Sequence, residues 1–145
     1  MIRMEDFRVC HRLCIGVVKE NVCEILIRKG TDENLPSDRW GLSAEGFMPM
    51  EESILDAEKR IFEEQMSMPF EKERLSCLGT FDTRLKDRYE ITYVYCYEVP
   101  DDFKLTAEDT LGEFQWVSLK EIKTMDPDTV STALDFLSDC LDEAE

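Results

Sequence analysis

The amino-acid sequence predicts an α+β fold in which a mixed β-sheet carries helices on its faces. Three observations predict it: apolar, β-branched segments separated by polar turns, one central segment with the apolar spacing of a helix, and an amphipathic segment near the end. The 145 residues, of which 43% are hydrophobic, suffice for one core and leave no room for a second. We therefore expect one domain over residues 1–145.

The first two predicted strands form a hairpin. Residues 8–18 and 22–29 are rich in apolar and β-branched residues, and the polar stretch "KEN" separates them. Residues 30–39 collect Gly, Pro, Asp and Asn, which favour turns, so this segment is predicted to be a surface loop that leads into Trp40.

The central helix is predicted to begin after Ser53, a residue type favoured at the N-cap, and to end before Pro69. Its apolar residues recur at helical spacing. One face carries Ile54, Ala57 and Ile61, and this face is extended by Leu55, Phe62 and Met66.

The second half of the chain adds strands and a closing helix. Two strands are predicted at residues 74–83 and 88–99, and the tip between them, "RLKDR", contains a cluster of basic residues that is rare in this chain. A short strand over residues 112–119 runs into a helical turn, and residues 129–143 form an amphipathic helix. This order is typical of a mixed sheet with helices on its faces, an architecture that hosts many functions.

The charge of the chain limits its partners. Lys and Arg total 17 against 33 Asp and Glu, a formal net charge of −16, so the surface repels nucleic acid polymers and anionic membranes at long range. No apolar run approaches the roughly 20 residues that span a bilayer, and the opening residues lack the apolar core of a secretion signal. Six cysteines without a CxxC pair, and a single histidine, predict free thiols rather than a zinc site. We expect a cytoplasmic protein that binds neither nucleic acid polymers nor membranes.

The most informative motif surrounds the central helix. Gly46, Glu52, Arg60 and Glu64 have the spacing G-x5-E-x7-R-x3-E. This pattern resembles the Nudix box of the MutT/Nudix hydrolases, G-x5-E-x7-R-E-U-x-E-E-x-G-U, in which U is apolar. The segments "HRLCIGVV", "EILIRK" and "FQWVSLKEI" are also similar to strands of that family, and "WGLSAEGFMPMEES" is similar to its isopentenyl diphosphate isomerase-like branch. The resemblance implies the Nudix fold, an α/β/α sandwich around a mixed β-sheet.

The resemblance also implies a reaction and a set of residues. One helical face of a Nudix box presents carboxylates at i, i+3 and i+4, hard oxygen ligands that suit Mg²⁺. We expect hydrolysis of a nucleotide-like or other small diphosphate compound with Mg²⁺ or Mn²⁺ as cofactor. The main metal ligand would be Glu64, with auxiliary ligands Gln65, Glu45 and Glu108. The catalytic residues would be Glu64, Arg60 as the orienting group, and Glu52. The candidates for substrate binding are Gly46 and the basic Arg84 and Lys86. The resemblance further allows a homodimer, because dimers are common in the family.

The departures from the box fall on the metal ligands. In register, two of the three acids of the R-E-U-x-E-E segment are replaced, by Ile61 and by Gln65. An aliphatic side chain cannot coordinate a cation, and a neutral amide offers a weaker oxygen than a carboxylate does. Any bound metal is therefore expected to be held weakly, and Ile61 is expected to contact apolar side chains rather than line an open cleft.

Two positions leave alternatives open. Glu45 takes the place of a glycine, and it is either a relocated carboxylate that restores a ligand or an ordinary exposed acid of an acidic protein. The resembled family often adds an acid from the loop before the last strand, where Glu108 and Glu113 are the two candidates and we favour Glu108.

Two functions follow from these observations. The first is a Mg²⁺-dependent Nudix hydrolase of low activity, which the resemblance favours. The second is a catalytically inactive Nudix-fold module that binds a nucleotide, metabolite or protein partner, which the lost ligands favour. Isomerase activity is disfavoured because that enzyme places a cysteine and a histidine just before the helix, where this chain has "GLSAEGF". The hydrolase hypothesis predicts that acids restored at positions 61 and 65 raise Mg²⁺-dependent hydrolysis.

Overall fold

The computed structural model describes residues 8–29, 39–104 and 114–144. Its strands are β1 (Arg8–Lys19), β2 (Glu24–Lys29), β3 (Trp40–Gly41), β4 (Ala44–Met48), β5 (Leu75–Arg84), β6 (Arg88–Val99) and β7 (Phe114–Ser118). Its α-helices are α1 (Ile54–Met66), α2 (Leu119–Thr124) and α3 (Thr132–Ala144), and short 3₁₀ turns cover Lys72–Arg74 and Pro127–Thr129. None of the helices in these ranges is long and apolar enough to cross a membrane.

Strand β1 lies at the centre of the sheet. Along its whole length it pairs in parallel with β6, from Arg8 opposite Arg88 to Lys19 opposite Val99. It also pairs antiparallel with β2 and with β4. Strand β5 pairs with β6 and extends the sheet on that side. Strands β3 and β7 both pair with β2. The sheet is therefore mixed, as predicted, and the β1–β2 hairpin is confirmed. The parallel pairing of β1 with β6 joins segments far apart in the chain, which no local pattern shows.

Helices cover both faces of the sheet, because its central strands are apolar on both sides. On one face α1 adds Ala57, Ile61, Phe62 and Met66 to a cluster of Leu13, Ile15, Val17, Leu26, Tyr95 and Tyr97. On the other face α2 and α3 add Ile122, Leu134 and Leu137 to a cluster of Cys14, Val18, Ile25, Ile27 and Val94. This arrangement confirms the α/β/α sandwich.

Local chemistry sets the ends of α1. The Ser53 hydroxyl accepts a hydrogen bond from the Asp56 backbone N–H at 3.2 Å, as expected of the predicted N-cap. The helix ends at Met66, and Ser67 has a left-handed backbone (φ 55°) while its N–H donates to the Glu63 carbonyl oxygen at 3.0 Å. This C-cap geometry favours glycine, and Ser67 stands where the box has its last glycine.

The apolar face of α1 is not buried at its first turn. Ile54 and Leu55 are exposed, and the buried face begins at Ala57. Apolar spacing shows which residues share a face of a helix, whereas burial also depends on how far the sheet extends beneath it.

The predicted closing helix starts later than expected. A 3₁₀ turn ends at Thr129, and α3 begins at Thr132. Ser131, just before the helix, accepts a hydrogen bond through its hydroxyl from the Leu134 N–H at 3.1 Å. The preceding helical turn is α2, which Ser118 and Glu121 begin with a reciprocal capping box.

Candidate functional site

The loop before α1 is tied to the helix by Arg60. Its guanidinium donates from Nε to Glu52 Oε2 (2.8 Å) and from Nη2 to both Glu52 Oε1 (2.9 Å) and the Phe47 carbonyl oxygen (2.9 Å). These hydrogen bonds lower the pKa of Glu52 and raise the pKa of Arg60. Because a bidentate pair of this kind fixes both partners in direction, it holds the β4–α1 loop against the helix.

Glu64 lies on the outer face of α1. Its side chain is 65% exposed, and its Oε2 is 3.8 Å from Nη1 of Arg60. The surface around it is formed by Asp56, Lys59 and Glu63. Glu64 is therefore a solvent-accessible carboxylate beside the Arg60–Glu52 pair.

Ile61 belongs to the core. Its side chain is fully buried in the apolar cluster between α1 and the sheet, which confirms the expectation that it contacts apolar side chains. It also lies close to Gly46 on β4, where an added Cβ would be 3.1 Å from Ile61 Cγ1. The glycine at position 46 therefore makes room for the aliphatic side chain at position 61.

Gln65 bridges α1 to two strands. Its Oε1 accepts hydrogen bonds from Arg28 Nη1 of β2 (2.8 Å) and from the backbone N–H of Glu45 (3.0 Å). Its Nε2 donates to the carbonyl oxygen of Glu45 at 2.6 Å. Since an amide oxygen has two lone pairs, both acceptor positions of Gln65 are used.

Arg28 is a residue that sequence reasoning missed. The sequence does contain a signal for it. Arg28 follows the apolar run "EILI" and is two residues after Leu26, so in a strand it lies on the same face as Leu26, which is the face that α1 covers.

Glu45 is buried on the face opposite Ile61. Its Oε1 pairs with Arg12 Nη2 at 2.5 Å, and its Oε2 accepts from the Leu42 N–H at 3.0 Å. The Cys14 thiol donates to the same carboxylate, and burial followed by the charge of Glu45 raises the pKa of this thiol well above its ordinary value. Of the two alternatives for position 45, the ordinary exposed acid is wrong, because Glu45 is 1% exposed and lies beside Arg12 and the start of α3.

These environments do not suit a divalent metal. Within the described ranges no three His, Cys, Asp or Glu side chains are placed to hold a metal ion. Mg²⁺ takes about six oxygen ligands, of which waters and substrate supply only a part. Glu64 faces solvent, Gln65 is saturated with N–H donors, and Glu45 is paired with Arg12 on the other face. Glu108 and its alternative Glu113 lie outside the described residues. The described residues therefore do not fit the cofactor that the box implies.

A small cavity lies between the sheet and the start of α3. Its volume is about 170 Å³, and its wall includes Arg12, Arg39, Thr83, Thr92, Ser131 and Thr132. Thr92 in this wall is 3% exposed. The partial positive charge of a helix N-terminus and two guanidinium groups meet there, balanced in part by Glu45 and Glu90.

The two basic candidates for substrate binding lie at the sheet edge. Arg84 ends β5 and Lys86 is in the turn that follows, and both are exposed. Thr83, the residue before Arg84, lines the small cavity, whereas Glu64 lies on the outer surface of α1. The structure therefore brings the tip of this hairpin to the cavity side and does not bring it to Glu64.

Two larger hollows lie away from the box. One, of about 540 Å³, is lined by Phe103, Trp116 and Lys19, and the Lys19 Nζ is 4.4 Å from the centroid of the Trp116 ring. The other, of about 380 Å³, lies between α2 and α3. Neither contains a residue of the box motif.

Comparison with known proteins agrees with the fold and the motif. Residues 11–140 match the family described as the NUDIX domain. An α/β/α sandwich in which the helix after β4 is tied to its preceding loop by the Arg60–Glu52 pair is typical of a Nudix domain. The chain belongs to the Nudix family. A search of curated protein sequences found no match.

Solved structures show the same fold at low sequence identity. The MutT protein from Methanosarcina mazei Go1 is 21% identical, with a TM-score of 0.69 over 97% of this chain and 98% of its own. The MutT NUDIX hydrolase from Burkholderia pseudomallei is 19% identical, with a TM-score of 0.66 over 92% of this chain and 98% of its own. The NUDIX domain of Shewanella oneidensis NrtR, solved with ADP ribose, is 14% identical, with a TM-score of 0.64 over 95% and 88%.

Proposed function

We propose that this Nudix domain binds a small, nucleotide-like diphosphate compound and does not hydrolyse it at an enzymatic rate. The proposal rests on the contacts of the two residues that replace the box acids. Ile61 is buried in the core, and Gln65 uses both its amide oxygen and its amide nitrogen to join α1 to the strands. A group of carboxylates that could hold a metal over a diphosphate is thus replaced by apolar packing and by hydrogen bonds.

The cavity at the start of α3 is the proposed contact for the ligand's phosphates. A helix N-terminus binds anions through its free N–H groups and its dipole, and Arg39 adds an exposed guanidinium. Its volume of about 170 Å³ is below the usual range of about 300–1,000 Å³ for whole ligands, so it would hold one group of the molecule. Arg84 and Lys86 at the adjacent hairpin tip remain proposed partners for a second phosphate. ADP ribose in the related Shewanella oneidensis domain supports this class of ligand.

Calorimetry with ADP ribose and nucleoside diphosphates, in the absence of Mg²⁺, tests the binding. We expect Arg39→Ala to weaken the affinity about tenfold, equivalent to about 1.4 kcal/mol. The control is Arg74→Ala, which removes a half-buried arginine that pairs with Glu71 and does not line the cavity. Absence of binding in the unchanged protein, or an equal loss in the control, would contradict the proposed site. Turnover within the usual range of about 1–10³ s⁻¹ would contradict the non-catalytic function.

A second candidate function is slow, Mg²⁺-dependent hydrolysis of the same compounds. It is favoured by the exposed Glu64 and by the intact Arg60–Glu52 pair. Under this hypothesis Glu64→Gln removes both weak Mg²⁺ binding and residual hydrolysis, whereas the neighbouring Asp56→Asn changes neither. Calorimetry with Mg²⁺ and phosphate release measure the two effects, and hydrolysis that is the same in both variants would exclude it.

We also propose a cytoplasmic location and a homodimer. The net charge of −16 supports a small-molecule partner over a nucleic acid polymer. Light scattering of the purified protein measures the oligomeric state, and a mass of 16.9 kDa in solution would exclude the dimer.

A further inference from the structure

Arg28 and Gln65 form a cationic contact at the position of a missing box acid. Arg28 is only 3% exposed although it carries a permanent charge. Its Nη1 is 2.8 Å from Oε1 of Gln65, the oxygen that would have to touch a metal ion if this position were a ligand. Arg28 lies in β2 between two paired strands, opposite Gly41 of β3 and Phe114 of β7. Pairing on both sides holds the Arg28 backbone, and therefore its Cα, in place.

The charge of Arg28 conflicts with a divalent ion at this place. Mg²⁺ binds oxygen at about 2.1 Å, so an ion on Gln65 Oε1 would lie within about 5 Å of the guanidinium nitrogen. Two positive charges at that separation, in a site with little water to screen them, repel each other strongly. The ion would also have to displace either the Arg28 or the Glu45 N–H from the same oxygen.

The remaining contact explains why an amide replaces the acid. Gln65 Nε2 donates to the Glu45 carbonyl oxygen at 2.6 Å. A carboxylate oxygen at this place would face a carbonyl oxygen, and two acceptors at such a distance repel. A glutamine therefore satisfies Arg28 and both backbone groups of Glu45 together, which a carboxylate cannot do.

We propose that Arg28 is a built-in cation that takes the place of the divalent metal at this end of the box. Through Gln65 it joins β2, β4 and α1, so that the site stays assembled without a metal, and its charge excludes one. Arg28 and Gln65 act as positioning residues, and the proposal is independent of which ligand the domain binds.

The test compares Gln65→Glu with Gln65→Glu plus Arg28→Met in the full-length chain. Thermal unfolding is measured with and without Mg²⁺, and Mg²⁺ affinity is measured by calorimetry. We expect Mg²⁺ not to change the unfolding temperature of the unchanged protein or of Gln65→Glu. In the double variant we expect Mg²⁺ to raise it and to bind about tenfold more tightly than in Gln65→Glu. Gln65→Glu plus Arg74→Met, which removes a distant arginine, should behave like Gln65→Glu.

Two results would overturn the proposal. One is Mg²⁺ binding by Gln65→Glu that equals binding by the double variant, and the other is a folded double variant that Mg²⁺ does not stabilise. If the loss of Arg28 prevents folding, crystals of Gln65→Glu soaked in Mg²⁺ decide instead. We expect the new carboxylate to pair with Arg28 and to hold no ion, and an ion bound to it would refute the exclusion.

Discussion

A carboxylate at position 61 would test whether this end of the box has become part of the core. Ile61 is fully buried beneath α1, and a Cβ on Gly46 would come within 3.1 Å of it. In Ile61→Glu the carboxyl group would enter this apolar layer. Burial raises the pKa of carboxyl groups, and values of about 8–9 are known for fully buried glutamates. We therefore expect the new group to be protonated at neutral pH.

The expected loss of stability follows from this pKa difference. An unfolded glutamate has a pKa of about 4.3, so protonating it at about pH 7 costs about 3.7 kcal/mol, at about 1.36 kcal/mol for each pH unit. The lost burial of isoleucine removes about 1.5–3 kcal/mol more. The total, about 5–7 kcal/mol, is comparable with the whole unfolding free energy of a domain at the low end of the range of about 5–15 kcal/mol.

Urea unfolding followed by circular dichroism measures this loss. The folded-state pKa of the new carboxyl lies above its unfolded pKa, so its destabilising effect is largest at high pH. We expect the gap between Ile61→Glu and the unchanged protein to narrow by about 3–4 kcal/mol between about pH 7.5 and pH 4.5. Ile61→Gln, which cannot titrate, should show a gap that does not depend on pH. A variant as stable as the unchanged protein at neutral pH, or a gap of constant size, would refute the reasoning.

Three further predictions concern the same helix and loop. Gly46→Ala should lower the unfolding free energy by about 1–3 kcal/mol through overpacking against Ile61, and Ile61→Val in the same chain should recover part of it; an unchanged urea midpoint would contradict this. Ser67→Gly should raise the unfolding free energy by up to about 1 kcal/mol, because it relieves a left-handed serine, and a lower melting temperature would contradict it. Arg60 lowers the pKa of Glu52, so the stability from this pair is present at neutral pH and is lost as the pH falls through the lowered pKa. Glu52→Gln should therefore lose less stability in acid than the unchanged protein, and equal losses would exclude the effect.

Local signals in the sequence predict the helix that carries the box. Ser53 caps α1 as expected, and the apolar spacing places Ala57 and Ile61 towards the sheet. The spacing also includes Ile54 and Leu55, which are exposed. The sequence of a helix does not show how far the sheet beneath it extends. Within the described ranges the hairpin and the later strands are predicted by the same kind of local signal.

The contacts of the candidate site depend on distant parts of the chain and were not predicted. Gln65 receives Arg28 from a strand 37 residues earlier, and Glu45 receives Arg12 from a strand 33 residues earlier. In a chain with 33 acids, composition favours an exposed Glu45. The β1–β4 register places it instead opposite Cys14 on a buried face. Motif register identifies which positions have changed, and only the tertiary contacts show what the changed residues do.

The variant Ile61→Glu plus Gln65→Glu, which the box pattern suggests for restoring hydrolysis, is predicted by the structure to fail. The acids of a metal site must share one hydrated place, but these three positions lie in three environments. Position 64 faces solvent, position 61 lies in an apolar layer, and position 65 lies between Arg28 and the backbone of β4. A carboxylate at position 61 would take up a proton, and one at position 65 would pair with Arg28. We expect no gain in Mg²⁺-dependent hydrolysis of ADP ribose over the unchanged protein, with the folded fraction measured by circular dichroism. A folded variant that hydrolyses it faster would show that the three positions still converge and that two acids alone separate this domain from an enzyme.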